Sequence, residues 1–246
     1  MREAGALALS LFRTDLRNWT KGASSPVSEA DIAVNDLLES RLRTATPDYG
    51  WLSEESADDE ERLGKPLVWI VDPIDGTRGY LAGREDWCVS VALVEDATPV
   101  LAAVFAPATD EFFFAARGQG ATRNAEPIFA RGGTALDFAR VAGPKPLAQR
   151  LNPAEKEIVL HPRIASLALR LCRVAQGNLD VAFAGGQSRD WDLAAANLIV
   201  QEAAGKMTAL SGDAILYNRR EVVHGMLVAA GRDRHAGIVS HFRSRP

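Results

Sequence analysis

The sequence is poor in cysteine and carries no excess of basic residues. Only two cysteines occur among its 246 residues, Cys88 and Cys172, and both lie in apolar stretches. Thiols in such positions are typical of proteins from a reducing compartment, so we expect a cytoplasmic protein without a disulfide. The formal net charge is −4, and arginines are interspersed with acids. This charge argues against a nucleic-acid polymer or an anionic membrane as the partner.

Long apolar runs and internal boundaries are also missing. No stretch reaches the roughly 18 consecutive apolar residues of a membrane-spanning helix. The start, MREAGALALSLFR, mixes acidic and basic residues and lacks a small-residue cleavage site, which favours an amphipathic helix over a signal peptide. This helix lies so close to residue 1 that we expect the natural chain to begin several residues earlier. Residues 1–246 contain no repeat and no long linker, which predicts a single domain.

Helical spacing of apolar residues appears early in the sequence and again in its second half. Leucines predict a first helix over residues 3–19, followed by the loop TKGASSP. Ser28 and Asp31 form a capping signal for a second helix. The segments RIASLALRLCRVAQG and WDLAAANLIVQEAAG predict two further helices, of which the latter is capped by Gly205.

From residue 67 the apolar pattern becomes that of strands. LVWIV is a continuous apolar run, typical of a buried strand, and Asp72-Pro73 is expected to end it. DWCVSVALVED, TPVLAAVFAP and DEFFFAARGQGATRN predict an antiparallel meander, and KEIVLHP, NLDVAFAGG, KMTAL and GMLVAAG predict short strands. Because parallel β-α-β units do not dominate, the sequence predicts an α+β fold or a layered sandwich.

Two carboxylates and a glycine turn follow this apolar run, in DPIDGT. Asp72 and Asp75 are expected to converge there, and close carboxylates repel each other unless they are protonated or neutralised by a hard divalent cation. The Ile74 carbonyl can add an oxygen ligand, and the amides of Gly76 and Thr77 form an anion site if a helix starts there. This combination is typical of phosphate chemistry, although DPIDG alone is also a good turn sequence.

Two interpretations stay open for each of Glu54, Asp192 and Lys21, and Asp31 has a candidate role besides capping the second helix. Glu54, in WLSEES, is either a metal ligand or part of a solvated acidic loop. Asp192 heads an apolar helix, where it is either a cap or a metal ligand. Asp31 is able to orient a hydroxyl, and Lys21 either meets a phosphate or is a surface lysine.

Four motifs together resemble the inositol monophosphatase family of lithium-sensitive, magnesium-dependent phosphatases. They are SPVSEAD at 25–31, EES at 54–56, WIVDPIDGT at 69–77 and WDLAAA at 191–196, in matching order over nearly the whole chain. The resemblance implies a layered αβαβα sandwich of the inositol monophosphatase and fructose-1,6-bisphosphatase type, and a homodimer. It also implies two or three Mg2+ ions, which Mn2+ can replace, and inhibition by Li+.

The resemblance further implies a set of metal ligands. Glu54, Asp72 and the Ile74 carbonyl would hold the first ion. Asp72, Asp75 and Asp192 would hold the second. Asp72 would therefore bridge both ions.

Catalytic and phosphate-binding roles follow from the same resemblance. Thr77, hydrogen-bonded to Asp31, resembles the hydroxyl–carboxylate pair that orients and helps to deprotonate the attacking water. Thr77, Asp31 and Glu54 are thus the predicted catalytic residues. The amides of Gly76 and Thr77 would bind the phosphate, and Lys21 matches a loop lysine at the phosphate end of the site.

Departures from the family pattern leave the substrate open. Animal inositol monophosphatases carry a glutamate near the position of Ala184, and this sequence has no acid there. Arg78 follows the Gly-Thr pair, as in the bisphosphate nucleotidase and bacterial histidinol-phosphatase branches. Arg78 either meets a second phosphate or pairs with a surface acid such as Glu85. Gln187 and Arg189, just before the Trp-Asp motif, are the predicted specificity residues.

The sequence therefore predicts a Mg2+-dependent phosphomonoesterase that uses metal-activated water and no covalent intermediate. The first candidate substrate is an inositol 1-phosphate-like polyol phosphate, the second is 3'-phosphoadenosine 5'-phosphate, and the third is histidinol phosphate. The alternatives from other classes are a non-catalytic metal-binding member and a plain scaffold whose acids serve as turns and caps.

Two other groups of residues are weighed as ligands. Asp190 is a rival of Asp192, but the family motif favours Asp192. His161, His224 and His235 lack the spacing of imidazole ligands and are expected to be structural or exposed.

Overall fold

The computed structural model describes residues 1–21, 25–151 and 157–244. The α-helices of these ranges are α1 Arg2–Leu11, α2 Glu29–Ala45, α3 Thr77–Leu81, α4 Lys145–Arg150, α5 Leu167–Ala175, α6 Asp190–Glu202 and α7 Arg232–Arg243. The strands are β1 Asn18–Lys21, β2 Ser25–Ser28, β3 Gly50–Ser53, β4 Leu67–Asp75, β5 Cys88–Glu95, β6 Thr98–Ala106, β7 Glu111–Ala116, β8 Ala121–Arg123, β9 Glu126–Pro127, β10 Arg140–Ala142, β11 Val159–Leu160, β12 Val181–Ala184, β13 Ser188–Arg189, β14 Gly205–Ala209, β15 Val223–His224 and β16 Leu227–Gly231.

Two large sheets and three helical layers alternate through the described part of the chain. One sheet has seven strands in the order β3-β4-β5-β6-β7-β8-β9, and the other has five in the order β11-β10-β12-β16-β14. Helices α5 and α6 pack between the sheets. Helices α1 and α2 cover the outer face of the first sheet, and α4 and α7 cover that of the second. The predicted αβαβα layered sandwich of the α+β class is confirmed.

Strand β4 is apolar on both faces because both faces are covered. Val68 and Ile70 belong to the core between the sheets, whereas Trp69 and Val71 pack against α1 and α2. Successive side chains of a strand point to opposite faces, so two cores demand a continuous apolar run. The interpretation of LVWIV as a buried strand is confirmed, as is the antiparallel meander that follows it.

Several predicted element ends were wrong, mostly because the backbone turns through a left-handed residue. Helix α1 ends at Leu11 and not at residue 19, since Arg13 has a φ of 62° and the chain then enters β1. The predicted loop TKGASSP instead contributes to the β1–β2 hairpin, while its residues 22–24 lie outside the described ranges. Helix α6 ends at Glu202, Ala204 has a φ of 62°, and Gly205 opens β14 and is not the cap.

Other local predictions are confirmed. Ser28 caps α2, and its amide and Oγ both donate to Asp31 Oδ2, at 2.8 Å and 2.6 Å. Cys88 and Cys172 are buried and are not joined by a disulfide. Among the described residues, no helix combines the length and the apolar character that crossing a membrane requires.

Candidate active site

Strand β4 carries two of the predicted carboxylate ligands, Asp72 and Asp75, beside an irregularity in its pairing. It pairs regularly with β5 up to Asp72, and the register then shifts before Asp75 meets Cys88. The strand therefore passes Pro73 and does not stop at Asp72, because a bulge tolerates a residue that cannot donate to the ladder. Residues three apart in a regular strand face opposite sides, so the shift allows both carboxylates to converge.

The carboxylates of Asp72, Asp75 and Asp192 form a compact group. One oxygen of each lies within 4.8 Å of the others, with Asp72 and Asp75 buried and Asp192 half-buried. Asp192 lies in the first turn of α6, and its Oδ2 accepts a hydrogen bond from the Arg189 amide at 2.6 Å. The two interpretations of Asp192 are compatible, since one oxygen caps the helix while the side chain belongs to the group.

The first turn of α5 holds Asp75 in place. Ser166 Oγ and the Ala168 amide donate to Asp75 Oδ2 at 2.6 Å and 2.5 Å, and the Leu167 amide donates to Oδ1 at 3.2 Å. Ser166 also accepts from the Leu169 amide at 2.9 Å and thereby caps α5. The sequence analysis missed this role of Ser166, although a serine before an apolar helix is a recognisable capping signal.

The environment of Asp72 fits a divalent cation. Its Oδ1 is buried and has no hydrogen-bond partner among the residues that the structure describes. Burial, followed by the charges of Glu54, Asp75 and Asp192, raises the pKa of Asp72 well above its ordinary value. An unpaired buried carboxylate beside like charges is unfavourable unless it is protonated or bound to a cation. A donor set of carboxylate oxygens is the set that hard ions such as Mg2+ prefer.

Glu54 lies at the rim of this group, with Lys21 beside it. Burial raises the pKa of Glu54 to about 7, and Lys21 opposes the rise. Lys21 Nζ donates to the Glu54 carbonyl at 3.2 Å and forms an ion pair with Glu55. The ammonium of Lys21 is thus engaged on the protein, and its contact with a phosphate stays a prediction.

Thr77 lies between two acceptors next to the carboxylates. Its Oγ1 is 3.1 Å from Asp31 Oδ1 and 3.0 Å from the Ile74 carbonyl oxygen, and the single hydroxyl hydrogen serves one of them at a time. The predicted pairing of Thr77 with Asp31 is therefore present in the structure. Burial raises the pKa of Asp31. The Ile74 carbonyl keeps a second lone pair for another partner.

Gly76 makes the turn from β4 into α3. Its backbone is left-handed, with φ 96°, and a Cβ added there would lie 2.9 Å from the Ser166 amide nitrogen. Only glycine allows this close approach of the turn to the start of α5. The first amides of α3 have no acceptor within the helix, as the predicted anion site at Gly76 and Thr77 requires.

An open cavity of about 480 Å3 lies over the carboxylates, and we name it the carboxylate cavity. Its described lining is Pro26, Glu54, Asp72, Asp75, Gly76, Thr77, Arg78, Arg163, Ala165, Gln187, Arg189, Trp191 and Asp192. The structure thus brings the predicted residues from distant segments to one place. Lys21 and Asp31 lie just behind this lining.

Arginines give the mouth of the carboxylate cavity its charge. Arg78 is exposed there, as are the predicted specificity residues Gln187 and Arg189. The Arg189 guanidinium lies over the Trp191 ring at 5.3 Å. Glu85, proposed as a partner of Arg78, pairs with Arg13 at 3.3 Å. Arg163 also lines the cavity, and the sequence analysis missed it because it lies in an unpatterned segment before α5.

Asp190 and the histidines take structural positions. Asp190 is fully buried, its Oδ1 is 2.6 Å from His224 Nε2, and its Oδ2 accepts from the Asn218 amide at 2.7 Å. Asp192 and not Asp190 therefore belongs to the carboxylate group. His235 is buried with its Nε2 3.0 Å from Thr208 Oγ1, and His161 is exposed, as expected for histidines outside the chemistry.

The raised pKa of Glu54 predicts that the metal-free protein loses stability as the pH rises through 7. Glu54 has a pKa of about 7 in the folded protein, against an ordinary value of 4.5. Its protonation therefore favours the fold fully below pH 4.5, and this contribution is lost as the pH rises through about 7. His235 acts oppositely, since burial lowers its pKa from 6.5 to about 4, so that acid favours the unfolded chain.

A Glu54→Gln variant separates these two effects. We expect the unfolding free energy of the wild type, relative to that of the variant, to fall between about pH 5 and pH 8 in chelator. His235 is common to both proteins and cancels in this difference. Denaturant titrations at several pH values measure it, and a difference that stays flat would contradict the pKa assigned to Glu54.

Comparisons with known proteins agree with the fold and the motifs. The model of the inositol monophosphatase family matches residues 1–246. A histidinol-phosphatase of Mycobacterium tuberculosis is 34% identical over 209 residues, which cover 80% of this chain and 79% of the relative. An inositol-1-monophosphatase of Caulobacter vibrioides is 31% identical over 243 residues, which cover 94% of this chain and 92% of the relative.

Solved structures share the fold of this chain at lower sequence identity. The extragenic suppressor protein suhB from Bartonella henselae superimposes with a TM-score of 0.86 at 26% identity, over 99% of this chain and 95% of that one. Its fold is thus the same layered sandwich. The family match over the whole chain, together with relatives above 30% identity, shows that the chain belongs to the inositol monophosphatase family and is a hydrolase of phosphoric monoesters.

Proposed function

We propose that this protein hydrolyses a small phosphorylated metabolite in a Mg2+-dependent reaction. The observation that carries the proposal is the buried, unpaired Oδ1 of Asp72 beside Asp75 and Asp192, under an open cavity. Glu54, Asp72 and the Ile74 carbonyl would hold one ion, and Asp72, Asp75 and Asp192 a second. The hydrogen bonds that Asp75 accepts from α5 occupy only part of its lone pairs, so it remains able to bind a cation.

The chain's own residues orient the substrate and accept a proton. Bound magnesium would supply positive charge for the phosphoryl oxygens and activate a water for attack on phosphorus. Thr77 would accept a hydrogen bond from that water while donating its own hydrogen to Asp31. The raised pKa of Asp31 makes its carboxylate a better proton acceptor than a solvent-exposed aspartate. The free amides at the start of α3 would bind the phosphate, and no covalent intermediate is required.

Two features of the cavity bear on the choice of substrate. The relatives are named for inositol 1-phosphate and histidinol phosphate, which are both phosphomonoesters. The segment from Ala184 to Gln187 carries no acid to bind inositol hydroxyls, while Arg78 lines the cavity. Arg78 supports 3'-phosphoadenosine 5'-phosphate, which carries a second phosphate, as the second candidate beside polyol phosphates.

Phosphate release from three substrates tests the proposal. Purified protein is assayed with inositol 1-phosphate, 3'-phosphoadenosine 5'-phosphate and histidinol phosphate, in chelator, in Mg2+, in Mn2+, and in Mg2+ with added Li+. We expect release from at least one substrate, its loss in chelator, recovery with either metal and inhibition by Li+. Calorimetric binding of Mg2+ without any release would indicate a non-catalytic member of the family. Absence of both binding and release would indicate a plain scaffold.

A further inference from the structure

A second cavity adjoins the carboxylate cavity along two segments of the chain. It measures about 440 Å3, and we name it the side cavity. Arg163 lines both cavities. In the segment after β12, Gly185 lines the side cavity, whereas Gln187 and Arg189 line the carboxylate cavity. The two cavities are therefore adjacent at Arg163, and a molecule with its phosphate at the carboxylates would have to pass this side chain to occupy both.

The fold forms the side cavity at one edge of the five-stranded sheet. Strands β10 and β12 are parallel neighbours, so the segments that follow them leave the sheet at the same edge. Val141 in β10, Leu160 in β11 and Ile164 before α5 give the cavity an apolar lining. Such a lining suits a carbon skeleton, not a densely hydroxylated ring.

The charged side chains that line the side cavity are all basic among the described residues. They are Lys145, Arg163 and Arg170, with His161 nearby and no carboxylate in the lining. In the described part of the chain, none of these three cations forms an ion pair with a carboxylate, whereas most other arginines do. A cavity lined in this way attracts anions.

Arg170 is the most buried of the three cations and is only partly paired. Its Nη1 donates to the Phe183 carbonyl at 2.9 Å, but its buried Nε has no acceptor in the described part of the chain. Burial lowers the pKa of Arg170, and the charges of Asp75 and Arg163 act on it with opposite signs. Arg170 therefore lies near both the carboxylate group and Arg163. A buried donor without an acceptor is unfavourable, and an anionic ligand would relieve this.

We propose that the side cavity binds a second acidic group, a carboxylate or a phosphate, on the alcohol portion of the substrate. This inference rests on the proposed phosphatase function and narrows its substrate class. The preferred substrate is then a phosphomonoester whose largely apolar skeleton carries a second negative group. A neutral polyol gains nothing from the three cations, and an ammonium-bearing alcohol such as histidinol is repelled by them.

Matched substrates test the proposal, with magnesium present throughout. We expect kcat/KM for 3-carboxyphenyl phosphate to exceed that for phenyl phosphate about tenfold, and 3-(aminomethyl)phenyl phosphate to fall below both. A meta substituent changes the leaving group's acidity little, so binding dominates the comparison. A second comparison, of kcat/KM for 3'-phosphoadenosine 5'-phosphate with kcat/KM for adenosine 3'-phosphate, tests a phosphate in place of a carboxylate as the second acidic group. The inference would be overturned if kcat/KM were the same for 3-carboxyphenyl phosphate as for phenyl phosphate, and also the same for the adenosine bisphosphate as for the monophosphate.

Variants locate the preference in the side cavity. Lys145→Gln should reduce the ratio of carboxylated to plain substrate about threefold, because Lys145 is exposed. Arg163→Gln should reduce the same ratio further. Lys206→Gln removes an equal charge from β14, which is the outermost strand on the side of the sheet away from β10 and β11. This control should leave the ratio unchanged. If Lys145→Gln and Arg163→Gln behave like Lys206→Gln, the second group binds elsewhere and the inference is wrong.

A binding measurement without turnover separates this inference from the proposed function. Calorimetry compares 3-carboxybenzylphosphonate with benzylphosphonate, which are not hydrolysed, and we expect the former to bind about tenfold more tightly at low salt. Equal binding of the two, with phenyl phosphate still hydrolysed, refutes the inference alone. Absence of hydrolysis of every phosphomonoester tested, the three metabolites included, counts against the proposed function instead.

Discussion

Asp72→Asn is expected to remove magnesium-dependent phosphate release and at the same time to stabilise the metal-free protein. The loss of activity should reach roughly a thousandfold, because a bridging metal ligand supports several kcal/mol of transition-state stabilisation. The gain in stability has a separate cause. Asp72 is buried beside Glu54, Asp75 and Asp192, and its ionised form is unfavourable there. Asparagine has nearly the same shape without the charge.

Two measurements on the same variant check this result. Phosphate release is compared at saturating Mg2+, and thermal unfolding is compared at pH 8 in chelator, where we expect a higher midpoint for Asp72→Asn. Asp48→Asn is the matched control, because Asp48 is exposed and does not line the carboxylate cavity. It should change neither quantity. Near-normal turnover of Asp72→Asn would refute the role of Asp72, and a lower midpoint would refute the electrostatic account of its burial.

The convergence of Asp72 and Asp75 was predictable from the local sequence, whereas Glu54 and Asp192 were assigned as ligands only by the family resemblance. Like charges have no structural reason to share a buried place, so a motif that puts Asp72 and Asp75 directly after an apolar strand points to a ligand. The capping role of Asp31 was predictable from its spacing to Ser28, whereas its pairing with Thr77 was implied by the family resemblance. Both signals lie within a few residues of the side chains concerned.

Residues that join the site through distant contacts gave no comparable signal. Ser166 reaches Asp75 across 91 positions of sequence, and nothing near either residue indicates the pairing. Arg163 lies before an ordinary amphipathic helix and Arg170 lies in it, and the hydrogen bonds from the start of this helix to Asp75 bring both near the carboxylates. Tertiary packing decides such positions, and local patterns do not encode it.

The bulge in β4 illustrates the same limit on a smaller scale. Proline at position 73 correctly indicated an interruption of the ladder, but it suggested that the strand ends there. The structure shows that β4 continues to Asp75 with a shifted register. Whether a strand stops at a proline or bulges past it depends on the partner strand, and here β5 offers Cys88 as a further pairing position.

Thr77→Val is expected to lower kcat about a hundredfold with little change in KM. The variant keeps the shape of the side chain but removes the hydroxyl that is 3.1 Å from Asp31. Without it, Asp31 loses its link to the attacking water, and proton acceptance of this kind contributes about 10²–10⁴-fold to rates. The phosphate contacts would remain, because the backbone amides of Gly76 and Thr77 do not depend on the hydroxyl.

The control for this variant is Thr77→Ser, which keeps the hydroxyl and loses only a methyl group. We expect Thr77→Ser to retain most of the activity, and both variants to bind Mg2+ in calorimetry as the wild type does. Thr77→Val should also lose about 1 kcal/mol of stability, since Asp31 and the Ile74 carbonyl share the hydroxyl as a donor. If Thr77→Val kept its kcat, or if Thr77→Ser lost as much, proton transfer would not depend on the hydroxyl. The carboxylates and the water alone would then have to account for the reaction.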